Sequence, residues 1–486
     1  MIWHIAKREI LDNLTRFRFA LTLILLVTLM VINAVIFVSS KYQRRIAAYS
    51  QDTNAAMESL KERNSSLGEL AVKGPGSLYK QPSPLGFIAT GTDAKLPKRV
   101  TGSGASGSSW RAPNFYYSSS NNWSLEYPQD VFEKNDALPN FTELDWTFII
   151  GLVMSFMAIL FTYDAISGER ETGTLSLLMS NAVSRAAVLL AKFIGAFLTI
   201  MLPLFIGILL NLMIINASDW VLLDGSKWAR VGIIFVISAI YISIFLWLGL
   251  FISSQFSNSS SSLLVLLLIW VVFVVLIPNT MGTLASRFQQ VPSKSEVFRQ
   301  KQAKLDEIND RYFEKDRRLF QFGSPSDTPP KIEALQTWAD YFTERADTRS
   351  KFDDEHLNKQ FAQVTYARQI TRFSPTSIYK YALESLAGTG FVRHQRFVQQ
   401  ARRYRQQFID FVKSEDRSDN KSYHVYLVKE GLSQKPVAFN SIPKFSEQIT
   451  LSITFGGALL DLALLISLAL VLFMAASLAF LRSDVK

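Results

Sequence analysis

The chain has 486 residues, of which 49% are apolar and only 19% are charged, and its formal net charge is +10. Soluble globular chains carry about 25% charged residues, and here several blocks of about 20 residues are almost free of charge, which excludes a single soluble domain and a disordered chain and indicates an integral membrane protein. Cysteine is absent and the four histidines lie far apart, so disulfides, thiolate chemistry and a metal site are not expected.

The N-terminal segment, residues 1–39, combines an amphipathic stretch with the first apolar block. Trp3, Ile10, Leu14 and Phe17 share one helical face, and charged residues occupy another. This pattern favours a helix that lies in the membrane interface before the chain enters the bilayer. A plain extension of the first span is the alternative.

Six apolar blocks are long enough to cross the hydrocarbon core, which takes about 20 helical residues. They cover residues 19–38, 146–163, 193–215, 231–253, 259–278 and 462–481. No Asp, Glu, Lys, Arg or His occurs within them, and Asp461 is expected to start the sixth helix at the interface. We therefore predict a mainly α fold, a six-span polytopic membrane protein with an interfacial N-terminal helix.

The short loops set the expected orientation. Nine Lys or Arg lie in the short segments on one side and two on the other, so the positive-inside rule places both termini and residues 164–192 in the cytoplasm. This orientation places two large regions, residues 40–145 and 279–447, outside the cytoplasm. The predicted divisions are 1–39, 40–145, 146–278, 279–447 and 448–486.

The two outer regions differ in composition. Residues 40–145 begin with helix formers and continue with Gly, Pro, Ser and aromatic residues, which predicts an α+β region. Residues 279–447 are mostly helical by pattern, and 293–322 with 331–373 resemble a helical hairpin. In the segment 374–390, apolar residues recur at helical spacing and Ser377 is a candidate cap. It is expected to pack on the membrane or over the spans, or else within the outer domain.

A basic stretch in the second outer region is a candidate site for anionic lipid headgroups or an anionic partner. Its candidate residues are Arg393, Arg396, Arg402, Arg403 and Arg405. A solvated helix face is the alternative interpretation of the same pattern.

The most specific pattern lies in the loop between the second and third spans, residues 164–192. Charged residues bounded by two glycines precede a short apolar run, an arrangement that suits docking to a soluble partner. The candidate site residues are Gly168, Glu169, Arg170, Glu171, Gly173, Thr174, Leu175 and Leu178. The leucines are expected to form a ridge that enters a groove on the partner. An ordinary amphipathic connector is the alternative.

The loop sequence ISGERETGTLSLLMS resembles the signature loop of ABC-type-2 permeases, the membrane subunits of certain bacterial ABC transporters. The stretches IAKREILDNL and FLRSDVK, together with Trp270 and Pro278, extend the resemblance along the chain. PSPLGFIATGTDAKLP and SPTSIYKYALESLAGTG resemble a subgroup with large outer domains. The resemblance implies two permease subunits and two separate ATPase subunits, with residues 169–178 as the coupling helix.

The resemblance also implies a function. We expect a permease subunit of an ABC exporter in the bacterial inner membrane, moving a lipid-like, glycan or other hydrophobic substrate. This chain has no GxxxxGK[S/T] motif, so ATP and Mg are expected on the ATPase and no cofactor on this chain.

Other partners and functions follow from the same considerations. The expected partners are two ABC ATPase copies, a second permease that is this chain or a related one, membrane lipids and an extracytoplasmic protein, but no nucleic acid. The alternative function is a membrane scaffold or envelope-machinery component with the same fold that acts mechanically without transport. An intramembrane enzyme is disfavoured, because the spans carry no ionisable groups.

Overall fold

The structure is a computed structural model of the chain. It describes residues 2–90, 96–102, 123–126, 144–180, 184–315, 317–323 and 330–482. This part of the chain is mostly helical. Within the predicted α+β region, residues 40–145, the ranges 91–95, 103–122 and 127–143 lie outside the described residues.

Six helices in the described part of the chain are long and apolar enough to span a bilayer. In order, these spans are Phe17–Glu62, Trp146–Glu171, Arg185–Asn216, Gly225–Gln255, Ser259–Gly282 and Leu451–Arg482. Each contains one of the predicted blocks, which confirms six helices of spanning length. We call the end of the bundle that carries residues 164–184 the loop end. The other end, where residues 63–145 and 283–450 connect the spans, is the domain end.

The remaining helices are separate from these six spans. They are Ile2–Thr15, Leu67–Lys73, Thr174–Ser180, Lys294–Asn309, Arg318–Phe322, Ile332–Thr371, Pro375–Ala387 and Gly390–Arg417, with a 3₁₀ turn at Lys429–Gly431. Within the described ranges, four π-helical segments interrupt the α-helices at Phe37–Tyr42, Ile149–Met154, Val271–Leu276 and Asp310–Lys315. The fifth span continues beyond its π segment as Ile277–Phe288.

A small antiparallel sheet lies in the first domain-end region. Its strands are β1 (Gly76–Tyr79), β2 (Arg99–Gly102) and β3 (Trp123–Glu126), in the order β1-β2-β3. Val100 is paired with Leu78 on one side and Leu125 on the other. The helix that leaves the first span ends at Arg63, and Ser66 caps the next helix by accepting the amide N–H of Glu69.

The helices of the second domain-end region pack side by side. Lys294–Asn309 and Ile332–Thr371 share a buried cluster that includes Leu305, Trp338 and Phe342. This is the helix pair that the sequence pattern predicts over 293–322 and 331–373. The apolar contacts of this cluster hold the helix Ile332–Thr371 against the helix Lys294–Asn309.

The start of the sixth span corrects one expectation. Its helix begins at Leu451, ten residues before Asp461, so Asp461 does not start it. The Asp461 carboxylate is 1% exposed and accepts a hydrogen bond of 2.6 Å from Nε of Arg372. The charged Asp461 interrupts the apolar run, and Ser452, Thr454, Gly456 and Gly457 precede it, which is why the apolar block identifies too late a start.

Helix Pro375–Ala387 is inserted among the spans. Tyr379 is fully buried and stacks on Tyr241 of the fourth span, with ring centroids 4.3 Å apart. The Tyr379 hydroxyl is also 2.8 Å from Oγ of Ser238. Of the two predicted environments the structure shows packing against the spans, and apolar side chains from the helix join the main bundle core.

The ends of this helix follow simple capping rules. Oγ of Ser374 accepts the amide N–H of Ser377 at 3.3 Å, so Ser374 is the N-cap and Ser377 lies inside the helix. Gly388 ends the helix with φ 63°, in the left-handed region that favours glycine.

Candidate functional site

The candidate coupling site consists of two short helices at the loop end. Ser167–Glu171 ends at a turn in which Gly173 has φ 73°, and Thr174–Ser180 follows. Apart from its chain neighbours, no atom of the described residues lies within 4 Å of the position that a Cβ of residue 173 would take. Glycine at this position therefore serves the backbone turn rather than close packing.

The first of these helices is attached to the fourth span. The amide N–H groups of Ile166 and Ser167 both donate to Oγ of buried Ser253 at 3.0 Å. Close by, a Cβ on Gly249 would lie 1.9 Å from Oγ1 of Thr162. The second and fourth spans are therefore in backbone-to-side-chain contact just before the loop begins.

A buried lysine joins the loop to two other elements. Nζ of Lys192, in the third span, donates to Oε1 of Glu169 at 2.6 Å and to Oε1 of Glu9 at 2.8 Å. The lysine side chain is only 2% exposed, whereas each carboxylate is about a quarter exposed. A charge buried to this degree requires charged partners, so the N-terminal helix, the loop and the third span are bound together here.

The start of the first span and the end of the second span meet at a second charged contact. Nη1 of Arg18 donates to Oδ2 of Asp164 at 3.1 Å, and Nη2 donates to the Tyr163 hydroxyl at 2.6 Å. Arg16 lies 3.6 Å from the same Asp164 oxygen. Asp164 therefore fixes the start of the first span beside the start of the loop.

Leu175 faces the bundle, contrary to the predicted docking ridge. Its side chain is 1% exposed and belongs to a cluster that includes Leu189, Trp247 and Phe480. It therefore anchors the second loop helix to the third, fourth and sixth spans. The side chain of Leu178 lies outside the described residues.

The exposed loop residues that the structure describes are polar or glycine. We call Glu171, Thr172, Gly173, Thr174 and Ser176, which are all exposed, the contact rim. Oε2 of Glu171 accepts hydrogen bonds from the N–H and Oγ of Ser259, at 3.2 and 2.8 Å, at the start of the fifth span. The rim is thus itself held against a span.

Two other predicted loop residues lie between the rim and the bundle. Arg170 is half-buried, and its Nη1 donates to the carbonyl oxygen of Phe256 at 3.3 Å. A Cβ on Gly168 would meet Cβ of Asp164 at 3.4 Å, an ordinary contact. Of the predicted residues, Glu169 and Leu175 thus serve as anchors, and Glu171, Gly173 and Thr174 form the surface.

Two arginines of the basic stretch at the domain end pair with acids from elsewhere in the chain. Arg393 is 6% exposed and lies 2.8 Å from Glu447, so it does not belong to an exposed patch. Arg402 pairs with Asp354 at 2.6 Å, and Arg403 is exposed.

The other two arginines of that stretch are held by neutral groups. Nη1 of Arg396 donates to the carbonyl oxygen of Ile453 at 2.6 Å, and Nη2 of Arg405 donates to Oγ of Ser350 at 2.9 Å. Burial lowers the pKa of both Arg396 and Arg405. The stretch therefore acts mainly within the structure, and Arg403 is its exposed member.

Sequence reasoning did not identify Lys192, Glu9, Arg18 or Ser253. The available signal for Lys192 is its position directly before an apolar block. Its partners are 183 and 23 residues away, and no sequence spacing rule connects them.

The fold and this site define a polytopic helical membrane protein with a loop that is anchored in the bundle and exposes a polar surface. Residues 3–485 match the family described as ABC-2 family transporter protein. The chain therefore belongs to this family, which confirms the resemblance found in the loop.

Two curated relatives are described as "Probable ABC transporter permease protein NosY". The protein from Pseudomonas aeruginosa is 33% identical over 134 residues, 27% of this chain and 47% of the relative. The protein from Stutzerimonas stutzeri is 34% identical over 124 residues, 25% of this chain and 45% of the relative. The chain thus spans about half the length of the curated relatives it matches.

Proposed function

We propose that this chain is the membrane subunit of a bacterial ABC exporter and that a partner ATPase docks on the contact rim. In this proposal the loop end is cytoplasmic, both termini lie on that side of the inner membrane, and the large regions are extracytoplasmic. Family membership and the permease descriptions of the two relatives support it. Two ATPase copies and a second permease subunit complete the transporter.

The observation that carries the proposal is the anchoring of the rim. Lys192 joins Glu169 to the third span and to the N-terminal helix. Ser253 holds the loop to the fourth span, and Leu175 packs against the third, fourth and sixth. Because packed interiors transmit strain, a displacement of the rim by the ATPase moves several spans together.

The domain end provides a route by which span movement reaches the outer regions. Helix Pro375–Ala387 contacts the fourth span through Tyr379 and Tyr241 and the sixth span through many residue pairs. The Tyr241 hydroxyl also donates to the carbonyl oxygen of Gly151 in the second span at 2.6 Å. A lipid-like, glycan or other hydrophobic substrate leaving the bilayer meets this junction.

The proposal is tested by co-expressing the chain with the ATPase of its transporter and purifying the complex in mild detergent. We expect co-purification, and ATP hydrolysis that responds to lipid, drug or polysaccharide after reconstitution. Ser176→Arg in the rim should reduce co-purification, whereas the matched change Ser414→Arg at the exposed domain end should not.

Two results would contradict the proposal. If the chain is purified alone despite co-expression, it has no ATPase partner. If the complex forms but hydrolysis responds to none of these substrates, the scaffold function is favoured.

A further inference from the structure

A second polar site lies at the opposite end of the bundle, in a cavity of about 440 Å³. It is lined by the helix that leaves the first span, by residues 81–85, and by the turn between the third and fourth spans. Tyr42, Trp220, Lys227 and Arg230 are among its lining residues. The cavity is thus at the level where three spans emerge from the bundle.

The charges that line this cavity do not cancel. Two of the three lining cations are paired: Lys227 lies 3.3 Å from Asp224, and Arg393 lies 2.8 Å from Glu447. Arg230 forms no ion pair within the described residues. Three cations thus face two carboxylates, Asp224 and Glu447, and the lining carries a net charge of +1.

Arg230 is the least satisfied of these groups. It is 7% exposed, its Nη2 donates to the carbonyl oxygen of Ile449 at 3.2 Å, and its Nε is buried with no hydrogen-bond partner among the described residues. An unpaired buried cation is costly. A guanidinium with free donors is best matched by a phosphate or carboxylate anion.

The surroundings of the cavity indicate where the anion comes from. Trp220 is 48% and Leu222 is 78% exposed, and both line the cavity. Large exposed apolar side chains beside cations at the ends of spans are typical of the membrane interface, where lipid headgroups lie. A free inorganic anion would gain nothing from these apolar neighbours.

We propose that this cavity binds the phosphate group of a membrane lipid, with Arg230 as the principal donor and Trp220 and Leu222 against the acyl chains. The site is independent of the ATPase contact at the loop end. The lipid-binding proposal therefore does not depend on the proposed function.

The test is calorimetric titration of the full-length chain in detergent with three probes. They are phosphatidylglycerol with six-carbon chains, diacylglycerol with the same chains, and inorganic phosphate. We expect saturable binding of the phosphatidylglycerol, at least about tenfold weaker binding of inorganic phosphate, and none of diacylglycerol, since a tenfold change corresponds to the loss of one good contact. Equal or tighter binding of inorganic phosphate, or binding of diacylglycerol, would overturn the lipid-phosphate assignment.

Variants then test the residues. Arg230→Gln should weaken phosphatidylglycerol binding at least about tenfold, and Arg230→Lys should restore part of it. Arg44→Gln removes an exposed arginine of the helix that leaves the first span, and it should bind as the native chain does. Unchanged affinity of Arg230→Gln would overturn the proposal.

A further pair of variants leaves Arg230 in place and covers the case in which Arg230→Gln does not fold. Ser226 is exposed, lines the cavity and lies in the first turn of its helix, where an acidic residue is compatible with the helix. Ser226→Glu should abolish binding and the uncharged Ser226→Gln should retain it. Equal binding by both variants would contradict the proposal.

Discussion

The two ends of the bundle attach their extra-membrane segments to the spans in different ways. At the domain end, both side chains of the Arg393–Glu447 pair are 5% exposed, and the Asp461 side chain is 1% exposed beside an Arg372 side chain that is 20% exposed. At the loop end, Lys192 is equally buried, but Glu9 and Glu169 remain about a quarter exposed. The domain end therefore includes an ion pair with both partners buried, and we call the two domain-end ion pairs a joint. The loop end presents a polar surface on buried anchors, as suits a partner that binds and moves.

The largest effect is expected where that surface is anchored. Lys192→Ala leaves Glu9 and Glu169 without their shared cation, and breaking a buried ion pair costs about 3 kcal/mol or more. Thermal unfolding of the purified chain in one lipid composition measures the loss. The control is Lys7→Ala in the exposed part of the N-terminal helix, expected to change stability by less than about 0.5 kcal/mol. Equal melting of the two variants would show that the lysine does not hold the loop.

The matching test at the domain end is a double-mutant cycle on Arg372 and Asp461. Asp461→Asn should cost about 2 kcal/mol, because it leaves the arginine charge without its partner. Since the Arg372 side chain is 20% exposed, water offsets part of the loss. Adding Arg372→Gln should cost less than the sum of the single changes. Strictly additive losses would show that the pair is not a joint.

A loss of stability of similar or smaller size is expected where the second and fourth spans touch near the loop. Gly249→Ala forces a methyl group against Thr162 and should cost about 1–3 kcal/mol through overpacking. Gly232→Ala in the same helix meets no atom of the described residues within 4 Å beyond its own helix, and it should be neutral or raise stability by up to about 1 kcal/mol through helix propensity. The two melting temperatures give the comparison. If Gly249→Ala is as stable as Gly232→Ala, the spans are further apart than described.

The smallest stability change is expected in the rim itself. Glu171→Gln keeps an acceptor oxygen for Ser259, so the hydrogen bonds at the start of the fifth span can persist. Its melting temperature should lie closer to that of the native chain than those of Lys192→Ala, Asp461→Asn and Gly249→Ala. A loss comparable to that of Lys192→Ala would place the main anchor of the loop at Glu171.

The sequence predicts what is local and periodic. The six apolar blocks locate the six candidate spanning helices. The loop motif indicates the family and the region of the candidate site. The spacing of apolar residues does not show which face of a two-turn helix packs against the bundle. For this reason Leu175 is predicted on the surface, whereas its side chain is buried.

The contacts that the sequence does not predict are long-range. Glu9 and Lys192 are 183 residues apart, and Arg372 and Asp461 are 89 apart. Charges near the ends of apolar blocks are visible in the sequence, but their pairing depends on which spans are neighbours. Burial of Arg393 likewise depends on Glu447, which lies 54 residues further along the chain.

The most direct test of the account is protection of the rim by the ATPase. Because the chain has no cysteine, Ser176→Cys places a single thiol in the rim and Ser414→Cys a matched exposed thiol at the domain end. We predict that bound ATPase strongly slows maleimide labelling at residue 176 and leaves residue 414 unchanged. Equal labelling of residue 176 with and without co-purified ATPase would contradict the assignment of the rim as its contact surface.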